Sequence, residues 1–324
     1  TIGRMAHSGS TAAIAFSLLK EKRLMLVGIA ALVYALAVAA PDAQERPARA
    51  PETDQTVPVS RGTRLTVDNY AGEVLIHTWD KDSLRVQARH QARTQITIRA
   101  ANSAVSISAA TPGGPNGSVD YDITAPAWMS MKVEGQYSFV TIDGAQGDVS
   151  VVTVRGDVIL KGGSGPVSAK TIEGEIVVEG ARGKVDLRSV NEGIKVTGAS
   201  GDITAETTNG DITLARIESG NVSLATVNGD IAYDGRLAGS GHYSFTTHNG
   251  GVALSVPDNA NATFNIRTYN GDFSTNLPLK GPDRSEARRG KRVTYTLGNG
   301  SAEVEMESFG GSLRVRRPAR IPNH

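Results

Sequence analysis

The feature that most constrains this chain is a glycine that returns every 17 to 21 residues: Gly156, Gly174, Gly193, Gly210, Gly229, Gly250 and Gly271. A second series, Gly147, Gly165, Gly183, Gly201 and Gly220, falls between the members of the first. The unit is two halves of about nine residues, each one short strand and one turn. Apolar residues follow the first-series glycines in alternation: Val158 and Leu160, Ile176 and Val178, Ile194 and Val196, Ile212 and Leu214, Ile231 and Tyr233, Val252 and Leu254. The second series is followed by Val149 and Val151, Val167 and Ala169, Val185 and Leu187, Ile203 and Ala205, Val222 and Leu224. Their neighbours, such as Asp186, Arg188, Thr204 and Glu206, are largely polar. Period-two alternation predicts strands with one buried face. Gly193 follows Asn191-Glu192, which reads as a coil shifted by one residue.

Two all-β architectures satisfy this pattern. Asn-Gly is a strong hairpin signal, so an antiparallel meander closed into a barrel is one of them. The other is a parallel β-solenoid with coils of about 18 residues. Thr precedes the first-series glycine by three residues at Thr153, Thr171, Thr207, Thr226, Thr247 and Thr268, and Asn precedes it directly at Asn209, Asn228, Asn249 and Asn270. Identity in register favours the solenoid, where such residues stack one coil above another and amide side chains bond along the column. A barrel gains nothing from such columns. The expected structural residues are therefore the turn glycines Gly156, Gly174, Gly210, Gly229 and Gly271, the Asn column, and Thr207 and Thr226 of an inward Thr column.

The coils GDVSVVTVRGDVIL, GDITAETTNGDITL and GNVSLATVNGDIAY, the ending FGGSLRVRR (309–317), and the upstream LTVDNYAGEVLIHTWDKDSLRVQAR (65–89) and YDITAPAWMSMKVEGQYSFVTIDGAQGDV (121–149) carry a family likeness. Over residues 61–317 the chain resembles the putative adhesin family of exported bacterial β-strand-repeat proteins. The resemblance implies a parallel, right-handed β-helix with a less regular N-terminal cap, and exported or membrane-anchored members. Gly250-Gly251 in place of Gly-Asp departs from the pattern.

The flanks suggest a domain order. Lys20, Lys22 and Arg23 precede 17 apolar residues, Leu24 to Ala40, with Ala37-Val38-Ala39 as a cleavage site and Ala43 as a second one. Basic, apolar and small-residue parts in that order read as a signal peptide over 1–40, and Met5 and Met25 are candidate starts. An uncleaved anchor is the alternative, since 17 residues is at the short end of a spanning helix. Residues 41–60, rich in Pro, Ala, Gln, Glu and Arg, read as a flexible linker. A β cap with the first coils is expected over 61–140 and the solenoid over 141–317, with KGPDRSEARRGKR (280–292) as a charged excursion between coils and a basic tail at 318–324.

Chemistry is hard to find in this pattern. The chain has no cysteine, which excludes disulfides and thiolate metal sites, and a net charge of +1 gives no nucleic-acid surface. One acid per turn (Asp148, Asp157, Glu175, Asp202, Asp211, Asp230, Asp272) falls short of the six or more oxygens calcium takes, so these residues are expected to support turns. His7, His77, His90, His242, His248 and His324 show no metal spacing, and no G-x-S-x-G is present. Turns of two to four residues are too short to build the cleft of a β-helix carbohydrate enzyme. No cofactor or metal is expected. The expectation is an extracytoplasmic, non-enzymatic interaction protein of the envelope, adhesin-like toward a glycan or envelope protein, and touching a membrane only through a retained N-terminal segment. An accessory or sensory envelope protein is the first alternative and a carbohydrate-active enzyme the second.

Overall fold

The computed structural model describes residues 53–318 except 102, 283–289 and 291. The expected signal peptide therefore lies outside the described residues, as do nearly all of the basic tail and most of the charged excursion. Among the described residues all regular structure is β, and no helix is long and apolar enough to cross a membrane.

The middle of the chain is a stack of two-strand coils. One sheet takes β8 (Val149–Arg155), β10 (Val167–Lys170), β12 (Val185–Arg188), β14 (Ile203–Asn209), β16 (Asn221–Asn228) and β18 (His242–Asn249). The other takes β9 (Val158–Lys161), β11 (Ile176–Glu179), β13 (Ile194–Thr197), β15 (Ile212–Ile217), β17 (Ile231–Gly235) and β19 (Val252–Ser255). Each strand pairs in parallel with its counterpart one coil away, never with its immediate successor in the chain. Asn209 is the register partner of Asn228, and Asn228 of Asn249. The sheet does not close, so the barrel alternative is excluded. Alternation puts Val185, Leu187, Ile203 and Val222 from the first sheet against Ile194, Val196, Ile212 and Leu214 from the second, all buried. Toward the C-terminal end this thin aliphatic core widens to hold Tyr233, Tyr243 and Phe245, with Tyr233 and Phe245 ring centroids 5.4 Å apart.

The coil of Gly193 is not shifted. Ile194 pairs with Ile176 on one side and Ile212 on the other. Glu192, not Gly193, occupies the glycine position, because its carbonyl accepts the Thr207 hydroxyl as Gly210 accepts that of Thr226. Counted this way, Ser189 completes the Thr column and Asn191 joins the Asn column.

Both ends depart from chain order. At the N-terminal end β2 (Arg64–Trp79) and β7 (Ser130–Asp143) each run through both sheets and pair in parallel with each other, and β7 carries β8 and β9. On its other side β2 pairs in parallel with β5 (Ala104–Ala110) and β6 (Asp120–Pro126). Antiparallel strands finish this end: β4 (Gln95–Ala101) on β5, β3 (Ser83–Arg89) on β6, and β1 (Thr53–Pro58) on β3. The linker expected to reach residue 60 thus ends early. An edge strand is held by backbone pairing and needs little apolar content. Here Arg85 adds a two-pronged bond to Asp54, Nε to Oδ1 at 3.0 Å and Nη2 to Oδ2 at 2.6 Å.

At the C-terminal end β20 (Ala262–Thr268) and β21 (Phe273–Thr275) do not stack on β18 and β19. The last strands, β23 (Ala302–Ser308) and β24 (Leu313–Arg316), lie between them: β23 pairs in parallel with both β18 and β20, and β24 with both β19 and β21. β22 (Val293–Leu297) closes the first sheet antiparallel to β20. The final coil is threaded inside the coil that precedes it.

Candidate binding surface

The Thr and Asn columns sit at the corner between the two sheets. Thr207 Oγ1 donates to Glu192 O (3.0 Å), Thr226 to Gly210 O (3.0 Å), Thr247 to Gly229 O (2.9 Å) and Ser308 to Gly250 O (2.7 Å). These hydroxyls are buried, so the bonds satisfy corner carbonyls that lack a ladder partner. Beside them the exposed amides form a ladder: Asn209 Nδ2 to Asn191 Oδ1 at 3.1 Å, then Asn228 to Asn209 and Asn249 to Asn228, both at 2.8 Å. Asn270 stands outside it, because Gly310 of the threaded coil takes the place next to Asn249: the Gly310 amide donates to His248 O at 2.8 Å. Thr268 keeps the hydroxyl role toward Gly311 O at 3.2 Å.

The turn glycines are needed for space more than for backbone sign. Of Gly156, Gly174, Gly210, Gly229 and Gly271, only Gly156 has positive φ, at 127°. A Cβ on Gly229 would run into the Gly210 carbonyl, and one on Gly271 into that of Gly311. The acids that follow are occupied too. Asp157 Oδ1 accepts the Glu175 amide at 2.8 Å, Asp211 that of Asp230 at 2.8 Å, and Asp230 that of Gly251 at 2.7 Å. Each carboxylate supports the next coil's backbone rather than its own turn. Among the described residues no three His, Asp or Glu side chains converge as a metal shell would require.

What remains is the outer face of the first sheet. A groove of about 480 Å³ crosses it from Lys184 to Glu305. Its floor follows two outward columns. One runs Asp202, Asn221, His242, Glu303, and the other runs Thr204, Ser223, Ser244, Glu305. Asn221 donates to Asp202 at 2.9 Å, and Arg292 reaches Glu305 at 3.1 Å. His242 Nε2 lies 3.7 Å from Glu303, with both side chains more than half exposed. His248, at the other end of β18, stacks on Phe309 at 4.8 Å instead of turning to His242. Only Asp202 and His242 could be singled out from sequence. Glu303 and Glu305 join the groove because β23 is threaded beside β18, which no local pattern signals.

The groove offers hydrogen-bond acceptors and donors at one per coil, fixed on a rigid sheet. Groups whose titration departs from the ordinary lie in the packing or in surface ion pairs outside the groove. Burial pushes the Tyr121 and Tyr233 phenols well up, and burial raises Tyr243 against the pull of the Ala238 amide. The Arg85 guanidinium holds exposed Asp54 below the usual carboxylate range. A surface of this kind suits binding a polar, extended ligand.

Residues 63–316 match the Toastrack DUF4097 family. The chain belongs to that family. No curated protein matches it. Among solved structures it is similar to a putative adhesin from Bacteroides fragilis (10% identity, 81% of this chain and 96% of that one, TM-score 0.40). It is similar also to one from Parabacteroides distasonis (11%, 82% and 96%, 0.36). A putative cell adhesion protein from Clostridium sporogenes matches at 9% identity over 82% and 99%, with a TM-score of 0.18. At those TM-scores none of the three adds to the account of this Toastrack chain.

Proposed function

We propose that this Toastrack protein is an exported, non-enzymatic, adhesin-like binding protein of the bacterial envelope, and that it holds an envelope glycan along the groove of the first sheet. The observation that carries the reading is the pair of outward polar columns in that groove. They repeat hydroxyl, amide and carboxylate groups at the strand spacing of about 4.8 Å, and so suit a repeating polar polymer. The resemblance noted in the sequence and the basic-apolar-small order of residues 20–40 support export.

A glycan array probed with the full chain tests this directly. Binding to a defined envelope polysaccharide, weakened by Asp202→Ala and by Glu305→Ala, is expected. Failure to retain any glycan, together with capture of a membrane protein from envelope extracts, would replace the adhesin reading with the accessory or sensory one. Mature protein recovered from the envelope is expected to begin near Ala40 or Gln44. No turnover is expected on pectin, alginate or peptidoglycan.

A further inference from the structure

The first sheet has a further outward column, at the last position before the corner. From the N-terminal end it runs Tyr70, Gln136, Val154, Ile172, Val190, Thr208, Val227, His248, Phe309 and Tyr269, one residue per coil. Six of these, Tyr70, Val154, Ile172, Val190, Val227 and Phe309, are large apolar side chains between 37% and 45% exposed. Strand propensity alone does not account for the row. The column four residues earlier in the same coils, inside the strands themselves, is polar throughout: Ser150, Ser168, Asp186, Thr204, Ser223, Ser244, Glu305. A mostly apolar row, broken at Gln136, Thr208 and His248, beside polar columns marks an interaction surface.

The structure assigns this row to a second copy of the same chain, packed face to face and antiparallel. Three observations choose that occupant. The row repeats at the interstrand spacing of about 4.8 Å, and the same row on a second copy matches it side chain for side chain over the whole stack. A two-fold axis along the strands, between Thr208 and Val227, sets Ile172 against Phe309, Val190 against His248 and Val154 against Tyr269. The same axis sets Lys170 opposite Glu307 in the flanking column of Val152, Lys170, Arg188, Glu206, Ala225, Thr246 and Glu307. Among the described residues Lys170 has no ion-pair partner within its own chain, and Glu307 of the copy, which in each chain also faces Arg267 at 3.4 Å, supplies one. Eight coils make the footprint about 38 Å long. With a width of about 15 Å it covers roughly 600 Å² per partner, at the low end of specific interfaces. The dimer is therefore expected to be concentration-dependent, and the polar groove, at the far side of the same sheet, stays open.

Sedimentation velocity on the full chain from about 1 to about 100 μM tests this. Expected is a reversible monomer–dimer equilibrium that Ile172→Asp weakens at least about tenfold, because the row lies at the centre of the contact. At concentrations where both are monomeric the melting temperature of that variant should match wild type, since Ile172 faces solvent in the monomer. Val177→Asp, on the outer face of the second sheet, should leave the equilibrium unchanged. Lys170→Glu and Glu307→Lys should each weaken the dimer, and the double reversal should restore it. A monomer throughout, or a dimer indifferent to Ile172→Asp, overturns the proposal, including the case where a monomer holds a glycan or another protein on the row. Single reversals that weaken the dimer without rescue by the double overturn the antiparallel arrangement.

Discussion

The middle of this stack and its two ends use the same strands but differ in how chain order maps onto space. From β8 to β19 each coil lies on the one before it, and contacts are made with neighbours about 18 residues away. At the ends the order is broken: β2 sits between β5/β6 and β7, and β23/β24 sit between β18/β19 and β20/β21. An ordinary last coil of a solenoid touches a neighbour on one side only, and so is the first to fray. Threading the final coil inside the penultimate one pairs β23 and β24 on both sides, so the C-terminal strands cannot leave without also undocking β20 and β21. Antiparallel β4, β1 and β22 then cover the parallel ladders, which would otherwise offer open edges for pairing with another chain.

The largest expected effect breaks the threaded end. A chain truncated after Leu297 loses β23 and β24, and β20 to β22 have no other partner in the stack. Hydrogen exchange should show complete loss of protection over 262–297, while 149–217 stays protected. Continued protection of β20 would mean that it can dock on β18 directly, and that the threading stabilises nothing.

Next is a lesion in the middle. Ile212 is fully buried between Ile194 and Ile231, so Ile212→Asp places an unpaired carboxylate in a core two strands thick. It should cost roughly 3–5 kcal/mol in chemical denaturation. Because each coil contacts only its neighbours, exchange should speed up most in β13, β15 and β17 and less at β2 or β20.

A smaller effect separates two glycines that look alike in sequence. Gly229→Ala drives a methyl group into the Gly210 carbonyl of the coil below and should cost about 1–3 kcal/mol, as overpacking does. Gly220→Ala meets open space at ordinary φ and should stay within about 0.5 kcal/mol of wild type. Equal costs from thermal melts would refute close approach as the reason for glycine at the corner.

The smallest effect tests the ladder. Asn228→Ala removes bonds to Asn209 and Asn249 and should destabilise by about 0.5–1.5 kcal/mol, while Asn270→Ala, outside the ladder, should be silent. If both variants melt alike, the amide column is decoration rather than a stabilising element.

Much of this was legible from residues alone. The alternation after each glycine determined which side chains face inward, because a strand's period of two has only one register that buries Ile and Val. The Thr and Asn columns settled parallel stacking against a meander, since identical polar side chains gain most when aligned one above another. Misreading the coil at Gly193 shows where such counting stops. Two adjacent glycine-slot candidates, Glu192 and Gly193, are one residue apart, and only the bond from Thr207 to Glu192 O decides between them.

Sequence by itself therefore determined the coil, its inward face and its corner chemistry, all of them local or nearest-neighbour properties. Tertiary structure alone decided that β1 is a strand, that the last coil threads behind β20, and that Glu303 and Glu305 come to lie beside His242 and Ser244. The reason is physical. Every strand here carries the same alternation, so any one can pair with any other at almost equal local energy. Which two become neighbours is decided by what covers the open ends of the core, and that is a property of the whole stack.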